Sequence, residues 1–155
     1  MMRKFTFIFI YPFLISVHAQ VNEKVLADTV QFILQSSERL QCAGYEQQML
    51  RLNFDDCNFE IHHTEKENPD RWNIYSFWLP HLDETKMRLV LQENNEWALI
   101  LSAPQSEMQY DRNDGSGYTS QALLYADKKE PLVAIGQALF FATQQCKGLD
   151  RFKKN

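Results

Sequence analysis

Between Glu46 and Ala126 the apolar residues recur with a period of two, and on either side of that stretch they recur at three- and four-residue steps. Strand side chains alternate faces, whereas helical ones return to one side every 3.6 residues, so this switch and its reversal call for strands enclosed by two helices. The last helix, Pro131 to Cys146, has the sharper pattern. Leu132, Ile135, Leu139, Ala142 and Cys146 form one apolar stripe, and Pro131 suits a first turn, where an N–H would have no intrahelical acceptor. The earlier helix, Val21 to Gln41, carries Leu26, Val30, Ile33, Ser37 and Leu40 along one side, with Val25 and Phe32 beside them and Glu23, Lys24, Asp28, Gln35 and Glu38 elsewhere. Gly44 follows closely enough to help end it.

The strands can be counted from the alternation. Gln48, Leu50, Leu52 and Phe54 alternate with Met49, Arg51 and Asn53, Asp55-Asp56 signals a turn, and Asn58 to Thr64 places Phe59, Ile61 and His63 on one face. That is a hairpin. After a polar gap from Glu65 to Asp70, Trp72 to Leu79 is apolar on both faces: Trp72, Ile74 and Trp78 on one, Tyr75, Phe77 and Leu79 on the other. Such a strand belongs in the middle of a sheet or under cover on both sides, and Pro80 ends it. Lys86 to Gln92 and Glu96 to Leu101 form a second hairpin around Asn94-Asn95, Pro104 to Gly117 reads as a long polar mobile loop, and Tyr118 to Ala126 is a sixth strand. The expected fold is α+β: an N-terminal helix, about six antiparallel strands in a bent sheet or partly open barrel, and a closing C-terminal helix. No internal repeat interrupts it.

The compartment is legible at the start of the chain. Arg3 and Lys4 precede an apolar run from Phe5 to Val17, and Val17-His18-Ala19 puts small residues at the −3 and −1 positions before Gln20. This is the layout of a cleavable signal peptide at residues 1–19, and the run is short of the roughly 20 apolar residues of a membrane span. A single α+β domain, residues 20–155, would then act in the periplasm or outside the cell, without spanning a membrane. Removing Arg3 and Lys4 takes the formal charge from 16 − 20 = −4 to 14 − 20 = −6, a poor fit to nucleic acid or anionic lipid. Lys147, Arg151, Lys153 and Lys154 read as cations complementing a helix C-terminus.

Three short patterns together resemble a group of uncharacterised exported bacterial proteins with a pleckstrin-homology-like fold. They are a cysteine opening a strand (D-D-C-N-F-E-I), an aromatic strand running into L-P-H-L-D (Tyr75 to Asp83), and the final A-L-F-F-A-T-Q-Q-C. The resemblance implies fold and compartment more than activity.

Three cysteines in an oxidising compartment imply one disulfide and one further thiol. Cys57 has the strand parity of Phe59 and Ile61, and Cys146 lies on the stripe of Leu132 and Leu139, so both point inward. Cys42 lies about 200° around from Leu40 at 100° per residue, off the stripe if the helix persists that far. Cys57 with Cys146 is the favoured link, and the local pair Cys42 with Cys57 is the alternative. The absence of a CxxC pair argues against thioredoxin-like redox chemistry.

The remaining chemistry is sparse. His62 and His63 are adjacent on a strand and therefore face opposite ways, and with His81 they do not make up a metal-ligand set, so no metal and no cofactor are expected. Asp111 to Gly117, D-R-N-D-G-S-G, has calcium-loop character, but Gly115 stands at the third ligand position and Ala122 at the last, so a surface turn is expected and calcium is the alternative. Gly115-Ser116-Gly117 lacks nucleophile-elbow spacing. Trp72, Trp78 and Trp97 read as core residues, with a ligand groove as the other possibility. No catalytic residue stands out. The expected function is a non-catalytic exported binding or interaction domain whose partner is a protein, peptide or envelope component, and the alternative is a small hydrolase with a site assembled only in space.

Overall fold

Residues 11–53, 57–104 and 107–153 are described by a computed structural model. In chain order they form α1 (Tyr11–Ser37), β1 (Tyr45–Asn53), β2 (Asn58–Glu65), β3 (Trp72–Trp78), β4 (Arg88–Leu91), β5 (Trp97–Ser102), β6 (Met108–Arg112), β7 (Gly115–Thr119), β8 (Gln121–Ala126) and α2 (Lys129–Lys153). The class is α+β, as the periodicity requires. Among the described residues, however, the strands number eight instead of about six, and they make two antiparallel sheets instead of one bent sheet or partly open barrel. One sheet has the order β1-β2-β3-β6-β7 and the other β4-β5-β8. The separation begins after Trp78, where two short 3₁₀ turns, Leu79–His81 and Glu84–Lys86, lead the chain away from the first sheet. Pro80 accounts for the break, because it has no N–H to continue a ladder.

The two additional strands come from the segment read as a polar loop and from the start of the expected sixth strand, whose Tyr118 and Thr119 belong to β7 while β8 begins at Gln121. Met108 to Arg112 pairs with Gly115 to Thr119 around a two-residue turn, Asn113-Asp114, with Arg112 directly opposite Gly115. Gly115 has φ 145°, a conformation open to a residue without a Cβ. The pairing sends Asp111 and Ser116 to one face and Arg112 to the other, so the D-R-N-D-G-S-G segment is a tight hairpin instead of an open loop. The first strand also departs from simple alternation. A bulge between Met49 and Arg51 sets Met49 opposite Ile61 and Leu52 opposite Phe59, because one extra residue shifts the register.

β3 is the middle strand of the larger sheet, as its two apolar faces suggest. Tyr75, Phe77 and Leu79 are buried, and Trp72, Ile74 and Trp78 are half-buried. Across the inner face Phe59 meets Phe77 with ring centroids 5.1 Å apart. Leu132, Ile135, Leu139, Ala142 and Cys146 of α2 and Leu26, Val30 and Ile33 of α1 join the same core. Each such side chain removed from water contributes on the order of 2 kcal/mol.

α1 begins earlier and ends earlier than the pattern indicates. It runs through Ala19 and Gln20, the expected cleavage point, and stops at Ser37 instead of Gln41. The buried Ser37 hydroxyl donates to the Leu34 carbonyl at 2.8 Å, and the Leu40 N–H turns back to the Ser37 carbonyl at 3.0 Å. Because the helix no longer persists there, Cys42 is turned inward and buried, where helical geometry would have left it off the stripe. Arg3, Lys4 and the front of the expected signal peptide lie outside the described residues. No helix among the described residues is long and apolar enough to cross a membrane.

Cys57 and Cys146 are joined, with Cα atoms 6.1 Å apart at a sequence separation of 89. Cys57 closes the β1–β2 loop with φ 52°, so the crosslink anchors the C-terminal half of α2 to the end of a hairpin. In the chain-entropy account a loop of that length is worth about 4 kcal/mol. Cys146→Ser should therefore lower the melting temperature by roughly 10 °C in a calorimetric scan, and a non-reducing peptide map should recover the 57–146 pair. A chain beginning at Gln20 retains Leu26, Val30 and Ile33 and should melt within about 2 °C of the longer one; a larger loss would show that the residues before Gln20 belong to the core.

Candidate functional site

The inner face of the larger sheet changes character along its length. Phe59 with Phe77 and Ile61 with Tyr75 and Tyr110 form apolar rows, and the following row, His63 with Asn73 and Arg112, is polar. Antiparallel partners opposite one another share a face, so this row is fixed by register. It divides a buried histidine from an open cleft.

His63 is buried among three tyrosines. Its ring lies 5.6 Å from Tyr45, 5.7 Å from Tyr75 and 5.8 Å from Tyr125, and Tyr45 stacks on Tyr125 at 5.4 Å. Burial disfavours the imidazolium and pushes the His63 pKa down to about 4, against an opposing contribution from the Leu123 backbone. Its Nε2 meets no hydrogen-bond partner among the described residues. Burial likewise holds the Tyr125 phenol up at about 12. An imidazole serves acid–base catalysis when it is accessible and titrates near neutrality, and His63 meets neither condition. The sequence places it on the face of Phe59 and Ile61; the tyrosines around it come from three strands and are not evident from spacing.

Beside this cluster the 41–44 segment is held by polar groups whose role the sequence does not reveal. The buried Glu96 carboxylate accepts from the Ala43 N–H and, at 2.7 Å, from the Asn94 side chain. Lys66 donates to the Cys42 carbonyl at 2.5 Å, and the Cys42 thiol donates to the Tyr45 carbonyl at 3.0 Å. Burial raises the Cys42 pKa, which keeps it a thiol and a weak nucleophile.

The other histidines are dispersed. His62 projects from the opposite face and its Nε2 lies 3.3 Å from Glu60, while His81 Nδ1 lies 2.7 Å from Glu107 and its ring meets Trp78 edge-on at 4.6 Å. No group of three His, Cys, Asp or Glu able to hold a metal ion occurs among the described residues. Trp78 and Trp97 are partly buried against the core, and Lys129 lies 5.8 Å from the Trp97 ring.

Beyond the polar row, the β2–β3 loop and the β6–β7 turn frame a cleft of about 440 Å³. Its walls are Glu65, Arg71 and Trp72 from the loop and strand ends, Asn73 and Arg112 from the row itself, and Asn113 and Asp114 from the turn. Trp72 thus borders a concavity. Glu65 and Arg71 approach to 3.8 Å. The Arg112 guanidinium sits 4.7 Å over the Tyr110 ring, and a Cβ on Gly117, opposite Tyr110, would come within 2.7 Å of its hydroxyl. Glycine there gives the ring its position, and the ring in turn supports the guanidinium. A second concavity, about 360 Å³, has mainly aliphatic walls, with Leu89 and Leu99 below Val133 and Phe140 of α2.

The sequence singles out the turn at Asp111 to Gly117 but not this cleft, whose other walls lie about 40 residues earlier in the chain. Family models, curated proteins and solved structures all yield no match to the chain.

The histidine cluster makes stability depend on pH in a definite direction. With a folded pKa near 4 and an ordinary value of 6.5, the unfolded chain binds the proton first, so the contribution is complete above pH 6.5 and is lost as pH falls toward 4. It amounts to about 3 kcal/mol. Chemical denaturation at pH 7 and pH 4.5 should show that loss in the native protein and a smaller one in His63→Phe; equal losses would place the titration elsewhere.

Proposed function

We propose that this chain is a non-catalytic binding domain, exported by a signal peptide at residues 1–19, whose mature residues 20–155 hold a small polar component of the envelope or its surroundings in the cleft beside Arg112. The cleft carries the reading: Glu65, Arg71, Arg112 and Asp114 converge with Asn73 and Asn113 on one opening of about 440 Å³, a size and convergence suited to small ligands. Asn73 and Arg112 project from paired strands, and polar groups on a rigid ladder can recognise a ligand without reorganising. The disulfide supports an oxidising compartment. Two antiparallel sheets with a C-terminal helix packed on the core support kinship with the pleckstrin-homology-like exported proteins.

Ligand capture can be read by amide and side-chain NMR of the purified protein mixed with the small-molecule fraction of a periplasmic or culture-fluid extract from the organism that makes it. Saturable shifts should concentrate on the Trp72 indole, Asn73 and Asn113, and Asn73→Ala should weaken them by about tenfold, the effect of losing a hydrogen bond to a charged group. An extract that leaves all three signals unmoved would remove the cleft as a binding site.

A further inference from the structure

We propose that the cleft recognises a small zwitterion with the chemistry of a free α-amino acid, its carboxylate on Arg112 and its ammonium on Asp114; this rests on the cleft being the ligand site. The charges of the cleft separate into two pairs. Glu65 and Arg71, 3.8 Å apart, compensate one another. Arg112 and Asp114 remain. Neither takes part in the ion pairs found among the described residues, and they flank the β6–β7 turn with Asn113 between them.

Arg112 is suited to a carboxylate. Its guanidinium lies 4.7 Å over Tyr110, whose ring is partly buried against the core and seated over Gly117. Stacking occupies the flat face and leaves the N–H donors at the rim without a partner among the described residues, the arrangement that binds a carboxylate through two parallel hydrogen bonds. Asn73 lies directly opposite Arg112 in the ladder and adds a carboxamide to the same wall. A purely anionic ligand would meet Asp114 and Glu65 in the opening, and a purely cationic one would meet Arg112 and Arg71. A ligand carrying both charges satisfies both sides. The volume of about 440 Å³ leaves room for a side chain beside the two charged groups.

The test is an NMR titration of the purified protein with free amino acids one at a time, then with the amide and the N-acetyl derivative of the tightest binder, and with succinate and glucose. Saturable shifts at Asn73 and the Trp72 indole are expected for one or more amino acids. Removing either ligand charge should weaken binding by about tenfold or more, since each removes a charge-assisted hydrogen bond. Arg112→Gln should abolish the preference for the free acid over the amide, and Asp114→Asn the preference for the free amine over the N-acetyl form, with the melting temperature of both variants unchanged. An amide that binds as well as its parent acid would overturn the carboxylate assignment, and an N-acetyl derivative that does so would overturn the ammonium assignment. Succinate or glucose saturating the same signals in place of every amino acid would overturn the zwitterion while leaving the cleft a binding site. No response to any probe, in a protein whose cleft signals do move with the extract, overturns the zwitterion alone; no response to either overturns both.

Discussion

One helix packs on the strands of the β4-β5-β8 sheet and is tied by a disulfide to the first hairpin of the other sheet, and the remainder of the fold depends on that junction. The apolar stripe of α2 enters the core that Phe59, Ile61 and Phe77 of the first sheet share with Leu99, Leu101 and Leu124 of the second. No ladder joins the sheets among the described residues, so the hydrophobic contribution of this shared core, with the stacking of Tyr45 of one sheet on Tyr125 of the other, holds them together. Each buried side chain contributes on the order of 2 kcal/mol, and the contribution is non-directional. Direction comes from the 57–146 disulfide, which fixes where along α2 the first hairpin ends, and from Glu84, which accepts from Lys147 at 3.0 Å and Gln144 at 2.8 Å near the same end. The exposed pairs refine the position of the helix; the core and the crosslink set it.

That arrangement leaves the larger sheet with an inner face covered over most of its length and open at one end. The covered part is aromatic and aliphatic. Where cover ends, the register brings His63, Asn73 and Arg112 into line, and one cross-strand row spans the passage from core to solvent. At its buried side an imidazole stays neutral because a charge there would be poorly solvated. Toward solvent a guanidinium stacks on the last ring of the core. The candidate binding site is thus the place where the core runs out, and its geometry is inherited from the ladder that forms the core.

Several parts of this were legible beforehand in particular residues. The stripe from Leu132 to Cys146 and the parity of Cys57 are local periodicities, and both point inward in the folded chain. The two apolar faces of Trp72 to Leu79 marked a middle strand. The turn at Asn94-Asn95 was readable from residue type, and Asn95 adopts φ 64° there, which asparagine tolerates. The segment Pro104 to Gly117 was misread because glycines and polar residues weaken the strand signal, although Met108 and Tyr110 alternate with Gln109 and Asp111. In β1 the bulge between Met49 and Arg51, which depends on the partner strand, interrupts the register that simple alternation implies.

Sequence by itself determined the class of fold, the placing of strands between two helices and the inward facing of Cys57 and Cys146, because each follows from the 2.0 or 3.6 residue period of a single element. Tertiary structure alone decided how the strands divide into two sheets, that Cys42 turns inward, that Tyr45, Tyr75 and Tyr125 gather around His63, and that Arg71 and Trp72 stand across a cleft from Arg112 and Asp114. These are pairings between elements distant in the chain, set by register and by shared burial, and periodicity within one element carries no information about its partner.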